Sequence, residues 1–227
     1  MTYRRFAIYH APAGDFGEAL AAWLGWSAER GCAISHPATS LDLASITERP
    51  RKYGAHATLR APFRLAEGLS PQDLDDHVAR LAAQFAPVVL DGLAVTALGS
   101  FLALTPQGDT TRLAALAAAV VEGSNPWRAP LSESERARRN PAQLSPRQCA
   151  LLDAWGYPYV MEEFRFHITL SGPPKADRDA VRGEAERIFA PFLGVPHPVD
   201  ALVVFGERED GHFEVLSRHS LKGTGRP

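Results

Sequence analysis

The sequence is poor in cysteine and contains no long apolar run. Cys32 and Cys149 are its only cysteines and form no C-x-x-C pair, so neither a zinc knuckle nor a secreted disulfide framework is indicated. The longest apolar stretch, residues 113–121, is far shorter than the roughly 20 residues that a membrane span needs. The charged N-terminus is not followed by an apolar segment with a cleavage site, so no signal peptide is predicted. We therefore expect a cytoplasmic protein without membrane contact.

The chain also lacks an excess of charge of one sign. Its 227 residues include 24 basic and 26 acidic side chains, which gives a formal net charge of −2. Extended nucleic acid is therefore not an expected partner, although a small basic cleft remains compatible with this balance. The hydrophobic share of 45% and the charged share of 22% exclude a disordered or fibrous chain.

Alternating and helical spacings of apolar residues predict a mixture of strands and helices. The predicted strands are 5–10, 54–59, 88–98, 100–105, 164–170, 199–205 and 213–218, and the predicted helices are 15–26, 71–85, 111–121, 146–155 and 177–189. Ser70 and Ser145 each precede a proline, which is a typical start of a helix. Residues 31–50 are predicted to be irregular.

Three similar segments recur in the same order in the two halves of the chain. The pairs are 56–62 with 167–173, 85–87 with 189–191, and 90–95 with 199–204. Three matches in the same order indicate a duplicated strand–helix–strand unit. We predict a single two-lobed domain over 1–227, in which the repeat covers about 3–99 and 100–220 and a polar insertion lies at 123–147.

Each half carries a His-x-Thr-Leu segment on a predicted strand, with His56 and Thr58 in the first and His167 and Thr169 in the second. Residues two apart on a strand share a face, so the histidine and threonine of each segment point the same way. An approximate two-fold axis can bring the two pairs face to face. One imidazole can then remove a proton from water while the other protonates a leaving alkoxide. The threonine hydroxyls can donate hydrogen bonds to phosphoryl oxygens.

The two H-x-T-Φ motifs, in which Φ is apolar, resemble the signature of the 2H phosphoesterase superfamily. More narrowly, residues 51–63 and 163–173 look like an uncharacterised branch often associated with phosphonate-utilisation operons. The resemblance implies an α+β fold of two pseudo-symmetric lobes, each an antiparallel sheet with helices, and an active cleft between the lobes. It also implies metal-independent cleavage or ligation of phosphodiesters, commonly 2′,3′-cyclic or 2′,5′-linked ones.

By position in the motifs, the resemblance makes His56 and His167 the acid/base pair and Thr58 and Thr169 the phosphate-binding hydroxyls. Strand alternation adds neighbours on the same faces as substrate-binding candidates, and Tyr53 is a further one. These substrate-binding candidates are Tyr53, Arg60, Arg165 and Ser171, and weaker candidates are Lys175, Arg136, Arg138 and Arg139. The polar insertion that contains the last three is a candidate lid over the cleft.

We expect an enzyme that hydrolyses a small cyclic phosphate or phosphodiester, such as a nucleotide or a sugar phosphate, in phosphonate metabolism and without a metal or cofactor. The alternative is a nucleotide- or RNA-binding module that retains the cleft without turnover. A metal hydrolase ranks last, because no Asp or Glu accompanies either motif and the histidines lack H-x-x-x-H or H-x-H spacing. The chain also lacks a G-x-x-x-x-G-K-[ST] loop, so nothing indicates nucleotide-driven chemistry.

Overall fold

A computed structural model describes residues 2–173 and 177–223 of the chain, and the weaker candidate Lys175 lies outside these ranges. The strands are β1 Phe6–His10, β2 Trp26–Ser27, β3 Cys32–Ala33, β4 Ala57–Phe63, β5 Val88–Leu90, β6 Gly92–Leu98, β7 Phe101–Gln107, β8 Ile168–Thr169, β9 His197–Val199, β10 Ala201–Glu207 and β11 Phe213–Ser220. The α-helices are α1 Gly14–Leu24, α2 Leu43–Ile46, α3 Pro71–Ala82, α4 Thr111–Ser124, α5 Glu133–Ala137, α6 Pro146–Trp155 and α7 Arg178–Phe189. Short 3₁₀ segments lie at Pro50–Tyr53, Asn125–Trp127, Pro141–Gln143, Met161–Glu163 and Ala190–Phe192.

Seven strands form one antiparallel sheet in the order β11-β10-β1-β4-β8-β7-β6. Helices α1, α3, α4 and α7 contribute buried leucine, valine and phenylalanine side chains to the main core, together with one face of this sheet. The other face carries a smaller cluster around Tyr9 and Phe205. None of the helices in residues 2–173 and 177–223 has both the length and the hydropathy of a membrane span.

The α+β class with an antiparallel sheet is confirmed. The halves of the chain do not form separate sheets, however, because β4 from the first half pairs directly with β8 from the second. The cleft-bearing strands therefore lie side by side at the middle of one continuous sheet, and the pseudo-symmetry of the lobes stays a prediction.

Both predicted serine–proline helix starts are confirmed. The Ser70 hydroxyl accepts a hydrogen bond from the Asp73 backbone N–H, and the Asp73 carboxylate accepts one from the Ser70 N–H in return. Ser145 and Gln148 form the same reciprocal pair at the start of α6. These contacts satisfy backbone donors that a helix start would otherwise leave unpaired.

The strand predicted over 164–170 is much shorter than expected. Only Ile168–Thr169 pairs as a strand, and the chain before it forms a 3₁₀ turn at Met161–Glu163. The strand predicted from residue 54 begins instead at Ala57, because Gly54 ends the preceding 3₁₀ segment with φ of 72° and ψ of 179°. Such a backbone conformation is essentially restricted to glycine.

A register shift in β4 changes where Arg60 points. Tyr9 pairs with Thr58, whereas the preceding Ile8 pairs with Arg60, so Leu59 is an extra residue on this strand. Residues directly opposite each other on antiparallel strands share a face, and Ile8 belongs to the helix-covered core. The predicted alignment of Arg60 with Thr58 on one face is therefore wrong, because strand alternation does not account for a bulge.

Candidate active site

The two His-x-Thr segments meet across the centre of the sheet. The middle residues of the two motifs, Ala57 and Ile168, pair with each other in antiparallel register. This register continues to place His56 opposite Thr169 and Thr58 opposite His167. Directly opposite residues have Cβ atoms about 4.5–5.5 Å apart and diagonal ones about 7–8 Å apart. His56 and His167 are therefore diagonal neighbours on one face of the sheet, with an expected Cβ separation of about 7–8 Å.

The two histidines are held by the same local hydrogen bond. Nδ1 of His56 donates to the Gly54 carbonyl at 2.9 Å, and Nδ1 of His167 donates to the Arg165 carbonyl at 2.8 Å. In the described parts of the chain, neither Nε2 atom has a hydrogen-bond partner, and neither is a buried unpaired atom. A neutral ring held in this way carries its proton on Nδ1 and presents the Nε2 lone pair to the solvent.

Both motifs line one open cavity of about 350 Å³. His56, Thr58, His167 and Thr169 all contribute to its wall, and so do two of the substrate-binding candidates, Tyr53 and Ser171. The Ser171 hydroxyl accepts a hydrogen bond from the Leu102 backbone N–H at 3.0 Å, which fixes its position against β7.

Aromatic packing restrains His56. The ring of Tyr9 stacks on it with a centroid separation of 3.9 Å and an interplanar angle of 23°. Burial lowers the pKa of His56 to about 4; the hydrogen bond to the Gly54 carbonyl opposes this shift and the nearby His167 adds to it. At neutral pH His56 is therefore an uncharged proton acceptor.

Gly54 positions His56 through its carbonyl group. A side chain at residue 54 would conflict with the positive φ, and its Cβ would lie 2.7 Å from the Cβ of Ala28. The sequence predicts that His56 is a catalytic group, and small displacements of such a group lower kcat/KM by about 10- to 100-fold. We expect a loss of this size for Gly54→Ala. Steady-state kinetics on a cyclic phosphate substrate measures the change.

Gly68→Ala is the matched control for this prediction. Gly68 also has a positive φ, of 82°, but nothing lies within 4 Å of a Cβ built there. It shares the backbone strain and lies outside the cavity wall. Equal losses of activity in both variants would show that Gly54 acts only on folding.

The remaining candidates are distributed around the cleft. Arg165 is exposed and lines an adjoining cavity of about 380 Å³, which also includes His167 and Thr58. Arg139 from the polar insertion reaches the wall of the histidine cavity. Arg136 does not, since it forms an ion pair with Asp153 on α6. Of the three candidate arginines in the insertion, Arg139 is therefore the one that contributes to the wall of the histidine cavity.

Sequence reasoning missed several cavity residues, above all Tyr9 and Phe101. The Phe101 ring lies 5.8 Å from that of His167. Tyr9 reaches the cavity because it pairs with Thr58. This pairing joins distant parts of the chain, and one sequence does not reveal it. Within the described ranges, no group of three or more His, Cys, Asp or Glu side chains has the geometry to hold a metal ion.

Comparison with known proteins identifies the family. The family model of DUF1045, described as a protein of unknown function, matches residues 58–214, which include Thr58, His167 and Thr169. The chain belongs to the DUF1045 family. His56 lies two residues before the matched segment.

Two curated relatives of this DUF1045 chain are named ribose 1,5-bisphosphate phosphokinase PhnN. The protein from Janthinobacterium sp. (strain Marseille) is 38% identical over 222 residues, covering 91% of this chain and 48% of the relative. The protein from Laribacter hongkongensis (strain HLHK9) is 36% identical over 212 residues, covering 91% and 49%. The chain thus spans about half the length of the curated relatives it matches.

One solved structure, TT0787 of Thermus thermophilus, aligns with 97% of this DUF1045 chain and 100% of its own chain, at 16% identity and a TM-score of 0.49. This likeness is too weak to support an argument about fold or function.

Proposed function

We propose that the chain is a metal-independent phosphodiesterase that hydrolyses a small cyclic phosphate or phosphodiester through its two histidines. The observation that carries this proposal is the shared cavity, in which both histidines have Nδ1 bound to a carbonyl and Nε2 open. A hydroxyl-bearing threonine accompanies each of them. These groups can supply a base, an acid and hydrogen-bond donors to the oxygens of one phosphorus atom.

The lowered pKa of His56 favours it as the base. Its Nε2 takes a proton from water as the water oxygen forms a bond to phosphorus. The bond from phosphorus to the leaving oxygen breaks, and protonated His167 gives its Nε2 proton to that oxygen. Thr58 and Thr169 donate hydrogen bonds to the non-bridging oxygens, where negative charge accumulates in the transition state. A cyclic phosphate gives a phosphomonoester that carries the released hydroxyl group, and a linear phosphodiester gives a phosphomonoester and an alcohol. Proton exchange with solvent then returns both histidines to their starting states.

The substrate class we propose is a ribose phosphate. The matched relatives are named for ribose 1,5-bisphosphate, a small sugar with two phosphate groups. We assign their phosphokinase activity to the half that this chain does not match, because the chain lacks a G-x-x-x-x-G-K-[ST] loop for nucleotide phosphates. We also propose a role in phosphonate metabolism, which the sequence resemblance implies.

A panel of cyclic and linear phosphodiesters, followed by phosphorus NMR in the presence of a chelator, tests the proposed reaction. We expect at least one cyclic phosphate to convert to a single monoester at full rate after metal removal. Tight binding without any product would favour the alternative of a non-catalytic nucleotide-binding module. Activity that disappears with the chelator and returns with added metal would contradict the paired-histidine mechanism.

The acid limb of the pH profile should report His56. Because the pKa of His56 is lowered to about 4, its base form persists down to that pH and is lost below it. We expect kcat/KM to fall with a midpoint near pH 4 rather than near the value of about 6.5 for a free imidazole. Initial rates between pH 3.5 and pH 9, with the fold monitored by circular dichroism, measure it. A midpoint at the ordinary imidazole value would contradict the assignment of His56 as the base.

A further inference from the structure

A second cavity, of about 220 Å³, lies beside the histidine cavity. The two cavities share part of their walls, including Tyr53, Arg139 and Tyr157. The second cavity is lined by the C-terminal half of β4, by the polar insertion and by the end of α6. The second cavity therefore adjoins the cavity that contains the proposed reaction centre.

The wall of this arginine cavity carries far more positive than negative charge. Six arginines line it, with a single carboxylate, that of Glu135. Glu135 is already paired with Arg64, and Arg5 is paired with Glu207 outside the cavity. In residues 2–173 and 177–223, the other four form no ion pair with a carboxylate; they are Arg60, Arg128, Arg138 and Arg139.

Arg60 is the least compensated of the four. Its side chain is 2% exposed, Nη2 donates to the Asn125 side-chain oxygen at 3.2 Å, and Nη1 is buried with no hydrogen-bond partner. The guanidinium lies 5.5 Å from the centre of the Phe63 ring, which offsets its charge only in part. Burial and the neighbouring Arg128 lower its pKa to about 9, so it remains charged at neutral pH.

Burying a charge without a partner costs free energy, and buried charges in proteins are generally paired. Two of the other arginines contact neutral groups, which do not balance their charge. Arg128 donates to the carbonyls of Ala129 and Ala154, and Arg139 lies 4.9 Å from the Tyr157 ring centre. Arginine forks match the oxygens of phosphate, and a phosphate monoester carries up to two negative charges.

We propose that the arginine cavity binds a second phosphate group of the substrate, a terminal phosphomonoester joined to the reacting phosphodiester by a sugar-sized spacer. This inference rests on the proposed function for the position of the reacting group. It names the substrate class more narrowly: a sugar with a phosphodiester or cyclic phosphate at one end and a monoester at the other.

The test compares 2′,3′-cyclic AMP with and without a 5′-phosphate. We expect kcat/KM to be at least about tenfold higher for the 5′-phosphorylated compound, since one hydrogen bond between charged groups has this effect. Arg138→Gln and Arg60→Met should both reduce this ratio toward one. Arg136→Gln is the matched control, because Arg136 lies two residues from Arg138 on the same segment but pairs with Asp153 outside the cavity.

Calorimetric titration with ribose 5-phosphate separates this inference from the proposed reaction. Binding to the native chain that Arg138→Gln weakens and Arg136→Gln does not would support the cavity as a phosphate site, even if neither cyclic nucleotide is hydrolysed. Hydrolysis of both nucleotides at equal kcat/KM would overturn the second phosphate site while the phosphodiesterase stands. Equal effects of Arg136→Gln and Arg138→Gln on the ratio, or the absence of both ribose 5-phosphate binding and substrate preference, would also overturn it.

Discussion

Replacement of His56 or His167 by alanine should lower kcat/KM for a cyclic phosphate by about 10²–10⁴-fold, the range typical of a general acid or base. The effect should appear in kcat, because proton transfer is needed in the transition state and not for binding. The double variant should be only slightly worse than either single one, since the two imidazoles act together in one step. Stopped assays with substrate above KM measure each loss.

The fold should survive both substitutions. Each histidine is only partly buried, and its neighbours in the sheet, Ala57 and Ile168, form the buried pair that joins the two strands. His219→Ala is a matched control, because His219 lies on the outer strand β11 and bonds to Asp75 outside the histidine cavity. A control loss as large as those of the two cavity histidines would assign their effect to folding.

Thr58→Val and Thr169→Val should each lower kcat by about 10- to 1,000-fold. The substitution keeps the branched shape that suits a strand and removes only the hydroxyl. Removal of one donor to a developing oxyanion typically has an effect near the upper end of this range. The loss should exceed any change in KM, because the negative charge on the non-bridging oxygens increases in the transition state.

Thr105→Val provides the comparison for the threonine variants. The Thr105 hydroxyl bonds to that of Thr96 at 2.7 Å between β6 and β7, away from the histidine cavity. Its replacement removes a strand hydroxyl with no expected effect on turnover. If Thr58→Val and Thr169→Val behaved like Thr105→Val, the two hydroxyls would have no part in the reaction.

Local features of the fold were predictable where a few neighbouring residues determine them. Ser70 and Ser145 start helices because their hydroxyls bond to backbone N–H groups three residues later, and sequence spacing alone shows this. The two His-x-Thr segments were recognisable because each consists of a few adjacent residues. The internal repeat predicted that the two motifs meet, and both line one cavity; the repeat itself stays a prediction.

Long-range pairing explains most of what the sequence did not predict. The contact of Ala57 with Ile168 joins strands more than 100 residues apart, and the bulge at Leu59 depends on the register between β4 and β1. That bulge moves Arg60 away from the histidine cavity and into the wall of the arginine cavity. The residues next to Arg60 in the sequence do not show that the strand bulges at Leu59. Strand alternation therefore placed Arg60 on the wrong face of the sheet.

In the proposed reaction both imidazoles act on a single phosphorus atom. A crystal structure with orthovanadate, which resembles a phosphoryl group in its transition state, tests it most directly. We expect one vanadate between the histidines, with Nε2 of His56 and Nε2 of His167 each about 2.6–3.2 Å from a different oxygen. The hydroxyls of Thr58 and Thr169 should bind the remaining oxygens. Vanadate bound by one histidine alone, or away from both, would contradict it.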